Sequence, residues 1–383
     1  MENSIQNNIT EELNKHAEEI IEEEIEPEQK KEIQVKISKE KNHLTEKATE
    51  EEFYSILKTV SPGTNLRTGI DGALKAGKGA LIVVENEQTS ALYDGGFRVN
   101  CRFTPQRLVE LCKMDGATVL SKNLKRINYA NVYLTPKSSM KTNETGARHK
   151  AAERTAKQTG TLVIAISERK NEITLFYKNL KHPLKSTEEI LRKVNEQIQI
   201  LEKQRDLFDK NLESLDKLEL TNYPGLVKAV NTVKKGYIIQ KIAHELRRYI
   251  IELGIEATLI KTRLKEIISG VEKETNLIIK DYTNLDVKKT KVLLESLSYE
   301  EILDSENILS ALAYEKPIMK EPIKGWRLLS KTTLSDADIA LLIKETGSLG
   351  KALYSGIGIY TNVLGHEKAA QFKDEIEKIK MSA

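Results

Sequence analysis

The apolar positions of this chain change their rhythm twice, and each change marks a different kind of structure. Residues 1 to about 48 have few apolar positions and no aromatic ones, set among Glu, Lys, Asn and Gln. Such a stretch buries too little to fold alone. From Glu51 to about Pro183 short apolar runs are separated by polar helices and glycine turns. Gly79–Glu85 and Thr161–Ser167 predict buried strands, and Thr118–Leu120 a short one. Ile173–Tyr177 predicts an alternating strand that pairs with its predecessor through a turn at Glu168–Asn171. With helices such as Thr104–Lys113 between them, these strands imply an α/β domain with a central mixed sheet.

From Ser186 onward spacings of three and four take over for more than a hundred residues. Ser186-Thr187-Glu188-Glu189 is a capping-box signature. The stripe that follows runs through Val194, Ile198, Leu201, Phe208, Leu212 and Leu215, with Arg205 interrupting it. Tyr223-Pro224-Gly225 breaks the chain before a second run through Ile238, Ile242, Leu246 and Ile250, which Gly254 ends. A third run covers Leu259 to Ile279. Stripes this regular predict an all-α helical bundle.

Charge adds a division that the apolar pattern does not show. The chain has 383 residues and a net charge of +3, yet its first fifty residues carry fourteen Glu and seven Lys, a net of −7, which leaves +10 for the rest. The acidic segment reads as a solvated, partly helical extension or as an electrostatic competitor that folds back over a basic site. No apolar run reaches the roughly 18–20 residues that span a bilayer, and no signal-peptide core is present, so the expected location is cytoplasmic, with no membrane partner. Cys101 and Cys112 have no zinc-ligand spacing and read as small packed residues.

The candidate chemistry lies in two segments. Lys113-Met114-Asp115-Gly116-Ala117 places a carboxylate in a tight turn, and Glu144-Thr145-Gly146-Ala147-Arg148-His149-Lys150 leads into a stretch to Gln158 without Pro or Gly. Arg148, His149 and Lys150 therefore fall at a helix start, where unpaired N–H groups and the positive dipole end favour anions. Three such residues beside an Asp suit a polyphosphate and a divalent metal. Asp71-Gly72-Ala73 repeats the turn signature inside the helical-looking Leu66–Ala76, where Asp71 reads as a solvated carboxylate. His16, His43, His182, His244 and His366 read as surface or packing residues.

These two motifs resemble the Asp-Gly-Ala turn and Arg-His-Arg run of the bacterial DNA-integrity-scanning diadenylate cyclases. Ser61-Pro62-Gly63-Thr64, Gly79-Ala80-Leu81-Ile82-Val83-Val84, Gly95-Gly96-Phe97, Phe103-Thr104-Pro105, Ala130-Asn131-Val132-Tyr133-Leu134 and the run from Glu153 to Gly160 fall in the order that family shows. The resemblance implies four parts: the extension at 1–48, a diadenylate cyclase domain at 49–184, a helical spacer bundle at 185–320 and a small all-α helix-hairpin-helix domain at 321–383. It implies condensation of two ATP into cyclic di-AMP with Mg²⁺ or Mn²⁺, homo-octameric assembly, and binding of branched or structured DNA.

Carried over position by position, the resemblance gives Asp115 a role at the ribose 3′-hydroxyl and the metal, which His149 shares. Gly116 and Ala117 make room for nucleotide, and Leu134 and Ser167 line the adenosine pocket. Gly146, Ala147, Arg148, His149, Lys150 and Ala151 form the phosphate-binding run, so the catalytic set is Asp115, Arg148, His149 and Lys150. Two positions depart from the pattern. Lys150 replaces an Arg, losing the two-pronged phosphate contact, and Ala151 replaces a Thr. One hydrogen bond to a charged group is worth about 1.5–3 kcal/mol, or roughly ten- to a hundredfold in turnover or ATP binding.

At the C-terminus Gly325-Trp326-Arg327-Leu328-Leu329 and Thr346-Gly347-Ser348-Leu349 resemble the family's hairpins, but Val363-Leu364-Gly365 lacks the first of two expected glycines. From Trp326 to Ala383 there are only eight Lys or Arg against seven Asp or Glu, far from a strongly basic stripe. Two rival readings stay open: a nucleotide- and DNA-binding relative with impaired catalysis, and a cyclase without DNA control.

Overall fold

The computed structural model describes residues 47–223, 225–318 and 322–382. The extension expected at 1–48 lies outside the described residues, apart from Lys47 and Ala48. Contacts divide the chain at Ser186/Thr187 into two compact units.

The first unit contains α1 (Glu50–Thr59), α2 (Asn65–Lys75), β1 (Ala80–Val84), β2 (Tyr93–Asp94), β3 (Phe97–Arg102), α3 (Pro105–Leu111), β4 (Ala117–Leu120), β5 (Arg126–Leu134), α4 (Ala147–Thr159), β6 (Val163–Ser167), β7 (Glu172–Tyr177) and β8 (Leu180–Leu184). The helix starts follow from side chains. Thr49 and Glu52 form a capping box for α1, and Thr104 followed by Pro105 opens α3. The strands form one mixed sheet in the order β2-β5-β4-β1-β6-β7-β8, with β3 also pairing with β5. β1 and β4 run parallel, and the other pairs are antiparallel.

β4 is buried along its whole length, and β1 and β6 over four of their five residues. That is why these strands read as unbroken apolar runs. Ala152 and Ala156 of α4 pack with Leu81, Val83, Ala165 and Phe176 on one face. Each fully buried Val, Leu, Ile or Phe side chain contributes about 1.5–3 kcal/mol.

Among its described residues the second unit is helical: α5 (Thr187–Leu220), α6 (Leu226–Leu253), α7 (Thr258–Ile268), α8 (Val271–Tyr282), α9 (Val287–Ser296), α10 (Tyr299–Leu303), α11 (Ser305–Ala311), α12 (Trp326–Leu329), α13 (Asp336–Thr346), α14 (Leu349–Tyr354), α15 (Ile357–Leu364) and α16 (His366–Ser382). The α5 stripe is buried at Val194, Ile198, Leu201, Phe208 and Leu215, and α5 packs along α6.

The run expected from Leu259 to Ile279 is two helices. Gly270, at φ +74°, separates α7 from α8. Arg205 explains how the break is held: Nη1 donates to the carbonyls of Ile267 at 2.8 Å and Ser269 at 2.6 Å, while Nε pairs with Asp209. The residue that interrupts the α5 stripe therefore satisfies carbonyls orphaned where α7 ends.

A second charged joint ties α12 to α5 and α8. Arg327 is fully buried, with Nη1 2.6 Å from Asp216 and Nη2 2.6 Å from Glu219. Tyr282 donates to Glu219 at 3.0 Å. Asp281 accepts the backbone N–H groups of Gly325, Trp326 and Arg327 at 2.9, 2.7 and 2.8 Å, which caps α12. Among the described residues no helix is long and apolar enough to cross a membrane.

Candidate active site

Strand direction brings the motif residues together. Because β1 and β4 run parallel, Leu81 pairing with Ala117, both begin at the same edge of the sheet. Asp115 and Gly116 immediately precede β4 at that edge. β6 runs the other way, with Ala80 opposite Ile166, so its last residue, Ser167, ends there too. β5 is likewise antiparallel to β4, pairing Val132 with Ala117, and carries Leu134 to the same edge.

Gly116 has a physical reason to be glycine. Its φ is +84°, and a Cβ there would lie 2.8–3.0 Å from the backbone of Asn131 and Val132. Gly96, at φ +77°, faces the same stretch of β5: a Cβ there would lie 2.8 Å from the Ala130 carbonyl oxygen. Asn131 itself has φ +55°, and the β4–β5 register shifts beside it. Two glycines thus accommodate an irregular turn of backbone next to Asp115, which is itself exposed. Ala117 is fully buried and Leu134 nearly so.

The cationic run sits where its spacing predicts. Gly146 is the N-cap of α4, with no side chain capping the helix start, and Ala147, Arg148, His149 and Lys150 form its first turn, followed by the half-buried Ala151. The guanidinium of Arg148 lies over Gly79, just ahead of β1: a Cβ on Gly79 would be 2.0 Å from its Nη1. That contact places α4's first turn at the same sheet edge as Asp115. Among the described residues Asp115, Arg148 and Lys150 make no ion pair or side-chain hydrogen bond.

The approach to α4 is fixed by α4 itself. Arg154 Nε donates to the Met140 carbonyl at 3.0 Å and Lys157 Nζ to the Lys141 carbonyl at 2.9 Å. Gln158 accepts the Lys137 N–H at 2.9 Å, and Thr142 donates to Glu153. Glu144 pairs with Lys181 of β8. The polar residues after the cationic run therefore lay the preceding loop along their own helix.

His149 is half-buried, edge-on to Phe176 with centroids 6.3 Å apart. Burial lowers its pKa below 6.5; Glu144 opposes the shift, and the cations Arg148, Lys181 and Lys170 add to it. The imidazole is thus neutral at pH 7, the form that accepts a proton or ligates a metal. Among the described residues no group of three or more His, Cys, Asp or Glu is gathered to hold a metal. The exposed carboxylate of Asp115 suits instead an ion such as Mg²⁺, which keeps waters and takes one or two carboxylates together with substrate phosphates.

The second Asp-Gly-Ala takes no part. Asp71 pairs with Arg67 at 2.9 Å one turn earlier in α2. A cleft of about 720 Å³ opens at the opposite edge of the sheet, lined by Glu52, Glu85, Asn86, Lys122, Gly160 and Lys178, with Glu52 and Lys178 paired at 2.9 Å. None of the motif residues lines it. Three apolar residues near the motif edge are exposed: Phe97 at 46%, Met114 at 44% and Tyr133 at 69%. The sequence reading assigned no site role to these three, to Gly79, or to the Glu144–Lys181 pair. A glycine directly before an apolar strand was the one available signal for Gly79.

Residues 67–180 match the family model for the DisA bacterial checkpoint controller nucleotide-binding region, and residues 184–320 match its linker region. The DNA integrity scanning protein DisA of Bacillus subtilis (strain 168) is 42% identical over 332 residues, covering 85% of this chain and 89% of the relative. Its counterpart in Symbiobacterium thermophilum is 37% identical over 337 residues, covering 86% and 96%, and that of Carboxydothermus hydrogenoformans 38% over 343 residues, covering 86% and 97%. With a mixed-sheet nucleotide-binding domain followed by a helical region, and with identity at this level over most of its length, the chain belongs to the DisA family.

Proposed function

We propose that this protein is a diadenylate cyclase that condenses two ATP into cyclic di-AMP and two pyrophosphates, under the control of DNA structure. The observation that carries the reading is the gathering of Asp115, Arg148 and Lys150 at one sheet edge, with no ion-pair partner among the described residues. ATP places its phosphates at the start of α4, against Arg148 and Lys150, and its adenosine toward Leu134 and Ser167. Asp115 accepts the proton of the ribose 3′-hydroxyl. The hydroxyl oxygen then bonds to the α-phosphorus of a second ATP as the bond from that phosphorus to pyrophosphate breaks, and a second such displacement, by the other nucleotide's 3′-hydroxyl on the first α-phosphorus, expels the second pyrophosphate and closes the ring. Mg²⁺ or Mn²⁺ arriving with ATP supplies charge neutralisation at the leaving pyrophosphate, and Asp115 and neutral His149 are the side chains offered to it.

One domain binds one ATP, so two copies must face each other, and the exposed Phe97, Met114 and Tyr133 suit a surface covered by a second copy. An octamer built through the helical unit would supply such pairs. DNA contact is assigned to the two C-terminal helical hairpins. Their turns at Gly347 (φ +71°) and Gly365 (φ +84°) are open, with nothing within 4 Å of where a Cβ would stand, so phosphate can approach the backbone. Lys150 and Ala151 favour a second reading, a relative that binds nucleotide and turns it over poorly.

The test is cyclic di-AMP formation from ATP with Mn²⁺ or Mg²⁺, for the native chain and for Asp115→Asn, with and without branched DNA. Product from the native chain, its loss in the variant and inhibition by DNA are expected. ATP binding without product under either metal selects the second reading, and a rate indifferent to DNA removes the sensing role.

A further inference from the structure

We infer that Gly79 is a positioning residue, which seats the guanidinium of Arg148 by shape alone and so leaves every N–H donor of that side chain to the nucleotide phosphates. The inference rests on the cyclase reading and deepens it. An arginine that must present its five donors to a ligand cannot also be fixed by a carboxylate, because each internal hydrogen bond removes a donor from the ligand. Arg327 in the helical unit is the opposite case, held by Asp216 and Glu219. Arg148 has no such partner among the described residues. What defines its position is the missing side chain beneath it: a Cβ on Gly79 would stand 2.0 Å from Nη1, 2.7 Å from Cζ and 3.1 Å from Nη2.

The seat lies within the proposed site. Ala80 pairs with Ile166, so one step further along the ladder Gly79 is across from Ser167, at the edge where Asp115 precedes β4. The backbone of Gly79 does not need glycine for its conformation, since it is not among the positive-φ residues. The clash is with the far end of a flexible side chain, not with backbone. Gly79→Ala therefore leaves the fold intact and expels the guanidinium from its seat.

The experiment compares the full-length native chain, Gly79→Ala, Arg148→Ala and the double variant, measuring KM for ATP and kcat for cyclic di-AMP formation, ATP affinity by calorimetry, and Tm. Gly79→Ala should keep the native Tm, weaken ATP binding or raise KM by about tenfold, as loss of a charge-assisted contact does, and have no further effect on ATP affinity once Arg148 is Ala. Native kinetics in Gly79→Ala, or an equal loss of affinity on both backgrounds, would overturn the seat. A native chain that binds ATP but makes no cyclic di-AMP refutes the cyclase reading and leaves the seat to be judged by the affinity cycle.

Discussion

The charges at the sheet edge and the charges around Arg327 differ first in their surroundings. Asp115 is exposed, and neither it nor Arg148 nor Lys150 has an ion pair among the described residues. Around Arg327 every charge faces another: Asp216 and Glu219 flank the guanidinium, Tyr282 supports Glu219, and Asp281 takes three backbone N–H groups. Both clusters join residues far apart in sequence, so remoteness alone does not separate a site from a scaffold. Completion does. A buried charge without a partner costs several kcal/mol, so a scaffold must close its network internally, whereas an edge that meets a ligand keeps its charges unsatisfied and near water.

The largest effect that would test this contrast is on the closed network. Arg327→Met strands Glu219 and should cost about 3–5 kcal/mol in urea unfolding of the full chain. Pairing it with Glu219→Met should return much of that loss. A double variant as unstable as the single one would mean that packing, not charge, makes Arg327 necessary.

Gly116→Ala comes next, because it forces a side chain into a left-handed backbone and against Asn131. A loss of about 1–3 kcal/mol is expected, without any change of charge at the edge. Wild-type stability would show that the β5 irregularity yields more easily than its two flanking glycines imply.

A smaller effect follows from pH. Burial, then the neighbouring Glu219, push the Asp281 carboxyl up to about 7, against the pull of the Arg327 and Trp326 N–H groups and the Arg327 charge; burial raises Glu219 as well. Raised carboxyl pKa values mean that the folded state holds protons the unfolded chain has released. The contribution is full below the unfolded value near 3.8 and is lost as pH rises through about 7. The Tm of the full chain should therefore fall between about pH 4 and pH 7, and Asp281→Asn should flatten that slope. A Tm that climbs over the range contradicts the assignment.

The smallest stability effect should be at Asp115, and it sharpens the comparison most. Asp115→Asn should change unfolding free energy by no more than about 0.5 kcal/mol, as surface substitutions do, while removing cyclic di-AMP formation. A destabilised Asp115→Asn would place this carboxylate among the structural charges.

How much of this was legible depended on burial. β1, β4 and β6 announce themselves because their side chains are mostly apolar in succession, β7 by its alternation, and α4 because nothing in Ala147–Gln158 resists a helix. β3 did not, since Arg98, Asn100 and Arg102 give it a polar exposed face. β5 hid behind Arg126, Asn128 and the left-handed Asn131, which disturb the alternation. β8 contains His182 and Pro183, tolerable because it is the last strand of the sheet. The break at Gly270 was visible as a glycine but not as a break, because the arginine that stabilises it is 65 residues earlier. At the site, the charged residues could be read from their motifs, but Gly79 showed only as a glycine ahead of a strand, since a seat is defined by what is missing and by a partner in another element.

The loop held along α4 has a consequence for how this site tolerates change. Arg148, His149 and Lys150 share one helix with Glu153, Arg154, Lys157 and Gln158, which grip residues 137–142. Substitutions there act one contact at a time, but one inserted residue after Ala151 would turn everything beyond it by about 100°. The helix would survive, and all four grips would swing off the loop together. Length, more than identity, is what this segment has to preserve, and anyone transplanting the site would have to move residues 137–160 as one piece.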